Sequence, residues 1–261
     1  MTSLFTAGNS AKLYCLNLIE KMVIRQGGSL TLLDLGCGVA ANFPKLMEKY
    51  PNLQYVGVDP SSSDCEAARK NLSSFNATII NTPAYGLELE PVDVVISFSV
   101  LEHVYRRMDY LQTVKRNMKA GGLFLINYDS GHFIYPAPAS ILSIGSDRWK
   151  NRFGHLMARL GKEQYFQAFV REEEFQALLD KTGLMVLESK FFNTDLKSIY
   201  KLVPSHNIEE YMNRWLDFEL YLNNMSVRYD DSMAKWFRTR NFVVIHQNAN
   251  PAAFKWLLDN E

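Results

Sequence analysis

Two apolar runs that end on special residues dominate the reading of this chain. Leu30-Thr31-Leu32-Leu33-Asp34-Leu35 breaks on the turn Gly36-Cys37-Gly38, and Tyr55-Val56-Gly57-Val58 ends on Asp59-Pro60 after a helix-sized segment. Such a pattern predicts a strand, a tight turn, a helix and a parallel strand. Glycine at the turn lets backbone approach a ligand, and an acid at the next strand's tip can hold a ribose diol. Gly36 and Gly38 with Ala41 and then Asp59 also fit the loose dinucleotide fingerprint. Asp34 argues against it, because a carboxylate at the strand's mouth repels a pyrophosphate but suits an ammonium or a sulfonium.

The continuation narrows the choice. Val92-Asp93-Val94-Val95-Ile96-Ser97-Phe98-Ser99-Val100-Leu101-Glu102-His103-Val104 is a strand running into a polar turn, and Met118 to Ile126 passes through Gly121-Gly122 into another strand. In this order and spacing the four segments resemble the class I S-adenosylmethionine-dependent methyltransferases, over about Leu30 to Tyr128. The resemblance implies a doubly wound, Rossmann-like α/β fold with a seven-stranded, mostly parallel sheet and an antiparallel last strand. It implies S-adenosylmethionine as cofactor and S-adenosylhomocysteine as product. Asp34, Gly36, Cys37 and Gly38 would meet the methionine part, Asp59 and Pro60 the ribose, and Ser97 and Phe98 the region of the transferred methyl. Family members usually carry an acid and then a small residue after the third strand. Here Asn81-Thr82-Pro83-Ala84 departs from that, and Pro83 has no N–H to offer adenine. Thr82 and Ala84 are the remaining adenine contacts.

Alternating strands and helices continue along the chain. A helix is expected over Ser10 to Arg25, with strands at Thr31 to Asp34, Gln54 to Val58, Ala77 to Ile80, Val92 to Ser97, Leu123 to Tyr128, Met185 to Phe192 and Asn241 to His246. The whole of 1–261 reads as a single domain with two insertions, about 131–170 and 194–240. The second is expected to be helical over Ile208 to Asn223 and Ser232 to Thr239. Long insertions in a compact domain are usually structured or functional. Both should leave the ligand-bearing edge and form a cap over the acceptor. Their aromatic residues favour an apolar or aromatic small molecule, with Tyr128, Tyr135, Tyr200 and Trp215 as pocket walls.

Methyl transfer from a sulfonium needs alignment and exclusion of water more than it needs a metal. None is assigned. His103, past the fourth strand, and His132, past the fifth, are the candidate general bases. An oxygen acceptor leads, followed by nitrogen and by carboxyl groups, including a peptide C-terminus. A nicotinamide oxidoreductase and a cofactor-binding protein without turnover are the readings of other classes.

Charge carries no further instruction. Lys and Arg total 28 against 28 Asp and Glu, which leaves no footprint for nucleic acid or an anionic membrane. The basic cluster Arg148, Lys150, Arg152, Arg159 and Lys162 reads as a solvated face. Three scattered cysteines make neither a disulfide framework nor a zinc site. No apolar leader or membrane-length run stands out, so a cytoplasmic protein is expected, with a small-molecule acceptor as partner.

Overall fold

The computed structural model describes residues 9–129, 152–194, 202–225 and 237–258. Its frame is a seven-stranded sheet in the order β3-β2-β1-β4-β5-β7-β6. The strands are β1 (Leu30–Leu35), β2 (Leu53–Asp59), β3 (Ala77–Asn81), β4 (Val92–Phe98), β5 (Met118–Asp129), β6 (Leu184–Thr194) and β7 (Phe237–His246). The first five pair in parallel, whereas β7 runs antiparallel to both β5 and β6. The expected architecture is therefore present, and each strand runs one to several residues beyond the apolar stretch that announced it.

Alternation along the strands sorts the core into two layers. Leu30 and Leu32 of β1 and Leu123 and Leu125 of β5 face α1 (Ser10–Arg25), α2 (Pro44–Lys49) and α3 (Ser62–Asn71). Leu33, Leu35, Phe124 and Ile126 face α4 (Arg107–Arg116) and the helix Glu172–Thr182. Helix ends follow local chemistry. Asn9 caps α1 by accepting from the Lys12 N–H at 3.2 Å, and Ser61 caps α3 by accepting from the Asp64 N–H at 3.3 Å. Glu172, Glu173 and Glu174 occupy the first turn of their helix, matching its positive end, and Gly183 (φ +73°) closes it in the left-handed conformation.

The two insertions behave differently. In the first, a helix over 152–159 and a turn at Glu163–Tyr165 come back to the ligand edge, where the Ala168 N–H donates to the Glu102 carbonyl at 2.8 Å. Arg107 fastens the return with bonds to Glu174 (2.8 Å) and to the Ala168 carbonyl (2.9 Å). In the second, the helix Ile208–Asn224 packs beside α1 against β6 and joins the core of that layer. The expected pocket wall Trp215 is 3% exposed there, with its indole N–H shared between Thr194 Oγ1 (2.8 Å) and Glu219 (3.0 Å). This corrects the cap expectation for Trp215: an amphipathic helix beside an uncovered sheet face buries its aromatic stripe in that face. Tyr128 needs the same correction. It is 0% exposed and packs between Phe175 and Phe242 on the opposite layer. The helix expected over Ser232 to Thr239 fails at its end, since 237–239 already belong to β7. The rest of that helix, and His132, Tyr135 and Tyr200, lie outside the described residues.

Candidate active site

The carboxyl ends of β1, β2, β3 and β4 converge on one side of the sheet. At the tip of β1 the chain turns back onto β2: the N–H groups of Gly36 and Cys37 both donate to the Val58 carbonyl, at 2.8 and 3.1 Å. Gly36 has φ +85°, and a Cβ there would meet Val100 Cγ1 at 2.9 Å. The turn thus needs glycine for its conformation and for its closeness to the β4 loop. Asp59 organises the other side. Its Oδ2 accepts from the Gly38 N–H at 2.9 Å and its Oδ1 from the Ser61 N–H at 2.8 Å. A carboxylate has about four acceptor positions, so Asp59 can hold the loop and still accept from a vicinal diol.

Between these tips lies a cavity of about 600 Å³, lined by Gly36, Val58, Asp59, Pro60, Pro83, Ala84, Tyr85, Val100, His103, Arg106 and Glu163 among others. The first insertion supplies one wall. Glu163 accepts from Tyr85 Oη at 2.5 Å and from Arg106 Nε at 3.0 Å, and the Arg106 guanidinium stacks 4.1 Å above the Tyr85 ring. Tyr85, Arg106 and Glu163 were not expected from sequence. Tyr85 directly follows the Asn81–Ala84 segment, whereas the other two meet it only through tertiary packing.

Asp34 lies to the α1 side of this cavity and is 3% exposed. Tyr55 Oη donates to its Oδ2 at 2.6 Å, while Oδ1 has no hydrogen-bond partner among the described residues. Burial pushes its pKa up to about 7, opposed by the Tyr55 hydrogen bond and by Lys12. A half-satisfied buried carboxyl is costly, and an ammonium donor would satisfy it. The same shift sets a pH dependence. The folded protein holds the Asp34 proton up to about pH 7, whereas the unfolded chain releases it near 4. Ligand-free stability therefore falls as pH rises between those values, and Asp34→Asn should raise it above pH 7. Binding of a cofactor ammonium requires the carboxylate, so affinity for S-adenosylhomocysteine should weaken up to tenfold per unit below about pH 7. Calorimetry from pH 5.5 to 8.5 checks this; an equally steep profile in Asp34→Asn would remove Asp34 as its source.

Of the other expected site residues, Gly36, Asp59, Pro60, Ala84 and His103 line the cavity together. Gly38 is joined to Asp59, and Thr82 donates its backbone N–H to the Asp59 carbonyl at 3.1 Å. Cys37 is turned towards Gly57, and burial pushes its thiol pKa up, which keeps it un-ionised and inert. Ser97 is a correction. It is fully buried on the α4 layer, and its Oγ accepts from Tyr110 Oη at 2.8 Å. Phe98 is buried in the α1 layer.

The sequence model of a methyltransferase domain matches residues 33–124, the span that carries these strand tips. Residues 33–124 thus carry a methyltransferase domain. It is 28% identical over 170 residues to a ubiquinone biosynthesis O-methyltransferase of Roseobacter denitrificans, covering 62% of this chain and 63% of that one. It is 29% identical over 103 residues to a trans-aconitate 2-methyltransferase of Azoarcus sp., covering 38% of this chain and 40% of the relative. The matches thus span about two fifths to just under two thirds of these relatives. The fold resembles that of PKMT2 from Rickettsia typhi in complex with AdoHcy, with a TM-score of 0.53 at 16% identity over 85% of this chain and 50% of that one. An O-methyltransferase from a trans-AT PKS multienzyme of Brevibacillus brevis gives a TM-score of 0.54 at 15% identity, over 91% of this chain and 73% of that one. S-adenosylmethionine is the cofactor of the family. The Gly36 turn, the acceptor positions left on Asp59 and the Asp34 Oδ1, without a partner among the described residues, are chemically suited to a methionine chain, a ribose diol and an ammonium. Among the described residues no helix is long and apolar enough to cross a membrane.

Proposed function

We propose that this methyltransferase moves a methyl group to an oxygen nucleophile of a small apolar or aromatic molecule by in-line displacement. The observation that carries this reading is the position of His103, in the wall of the cavity that Gly36 and Asp59 also line. When bound, the cofactor supplies a methyl already activated by its sulfonium. The residues then have three tasks. Asp34, Gly36 and Asp59 hold and orient the cofactor, with Ala84 beside the base. The Tyr85–Glu163–Arg106 wall keeps water from the nucleoside side. His103 takes the proton from an acceptor hydroxyl at an imidazole nitrogen, which suits a group that ordinarily titrates near neutrality. An oxygen acceptor accords with the name of the Roseobacter relative. The trans-aconitate relative supports a carboxyl acceptor as the second reading, for which no base is needed. His132 is the second candidate base, and the first insertion is the part of the cap that we assign to acceptor enclosure.

The test is tandem mass spectrometry of a small-molecule extract incubated with enzyme and a trideuteromethyl cofactor. A labelled oxygen on a small molecule is the expected result. Label found only on protein or nucleic acid would overturn the reading. With the acceptor in hand, His103→Ala should lower turnover by about 10²–10⁴-fold and flatten the acid limb of the pH–rate profile. Full activity in that variant would remove the base and favour an acceptor that is already ionised.

A further inference from the structure

Gly154 and Ala158, four residues apart on the helix over 152–159, turn one face inward. Ala158 is buried, and a Cβ at Gly154 would run into the Tyr165 carbonyl oxygen. The opposite face is exposed and apolar. Phe153, Leu156 and, just past the last helical residue, Leu160 recur at helical spacing and are 50%, 56% and 67% exposed. Tyr165, 53% exposed, extends this ridge through an edge contact with Phe153 at 5.9 Å.

Charge is arranged around the ridge. Arg152 and Arg159, seven residues apart, form a row along one side of it, and Lys162 follows its end. All three are exposed, and their side chains make no ion pair among the described residues. No acid interrupts 152–162. The next one, Glu163, is turned inward by Tyr85 and Arg106. The balance of 28 basic and 28 acidic residues over the chain thus conceals a local cationic surface. Single exposed apolar residues are ordinary. Large ones in a row, flanked by free cations, are the pattern of a helix that lies in a lipid interface. With half or more of each side chain in solvent, the ridge offers no groove to a peptide. Its Phe, Leu and Tyr side chains can instead enter the headgroup boundary while the cations reach lipid phosphates.

We propose that the helix over 152–159 and the turn after it dock this protein on an anionic phospholipid surface. Gly161 and Glu163, which follow the ridge, line the cavity, so docking sets the cavity rim at the headgroup boundary. The docking does not depend on which acceptor is methylated.

Flotation of the full chain through a density gradient tests this, with vesicles of phosphatidylcholine alone and of phosphatidylcholine mixed with phosphatidylglycerol. Wild type is expected to float with the mixed vesicles at low salt and less at high salt. Each cation removed costs about fivefold in partitioning, so Arg159→Gln/Lys162→Gln should bind roughly 25-fold more weakly. Leu156→Ser/Leu160→Ser leaves the charge intact and should lose about tenfold or more. Thermal melts close to wild type establish that both variants fold. The proposal is overturned if wild type does not float, if it floats equally with the neutral vesicles, or if either variant floats as wild type does. Light scattering covers a protein occupant: a wild-type dimer that Leu156→Ser/Leu160→Ser makes monomeric would assign the ridge to a second copy and overturn the bilayer.

Discussion

Asp59→Ala should weaken S-adenosylhomocysteine binding by at least a hundredfold, the largest loss expected from any single change at the site. Two contributions add. A ribose diol loses two hydrogen bonds to a charged acceptor, each contributing about 1.5–3 kcal/mol, and each 1.4 kcal/mol is a factor of ten. The glycine turn after β1 also loses an anchor, because the Gly38 and Ser61 N–H groups both donate to this carboxylate. Asp59→Asn retains one acceptor oxygen and should fall between the two. Calorimetry measures the affinity and a thermal melt the fold. Wild-type binding by Asp59→Ala would remove this residue from the site.

Gly36→Ala should damage both stability and binding, and the neighbouring Gly38→Ala provides its internal control. Both glycines have positive φ, +85° and +50°, but a Cβ at Gly36 runs into the Val100 side chain whereas one at Gly38 meets nothing within 4 Å. Left-handed backbone costs a substituted residue about 1–2 kcal/mol, and forcing a methyl into packed space adds roughly 1–3 kcal/mol. Gly36→Ala therefore carries both costs and Gly38→Ala only the first. For a domain of this size the double cost corresponds to a melting temperature lower by about 5–15 °C. Equal melting temperatures for the two variants would show that Val100 moves aside without consequence.

Much of this was legible in the chain because β1, β2, β4 and β5 are buried on both faces and so read as continuous apolar runs. The turn at Gly36 and the acid at Asp59 were legible too, since each is the local answer to a local demand. Failures came where the answer depends on the facing layer. Ser97 and Phe98 are neighbours at the tip of β4, and strict alternation sends them to opposite layers. Strand spacing alone does not say which layer carries the ligand. Tyr128 and Trp215 were assigned by their aromatic character, which marks core and pocket equally. Glu163 was invisible for another reason: it acquires meaning from Tyr85 and Arg106, far away along the chain, and lies in no motif.

The sheet also dictates a sequence of events in time. β7, the last strand of this sheet in chain order, sits between β5 and β6 and supplies the hydrogen-bonded neighbour of both. Until Phe237–His246 is in place, β5 presents an open edge and β6 has nothing to pair with. The strands that carry the glycine turn and Asp59 can assemble as soon as they leave the ribosome. The wedge that completes them is made after all the strands it joins. A nascent chain halted before β7 would therefore hold most of a cofactor platform beside an exposed, adhesive strand. Chaperone dependence and aggregation should concentrate in that interval, rather than in the unfolding of the finished protein.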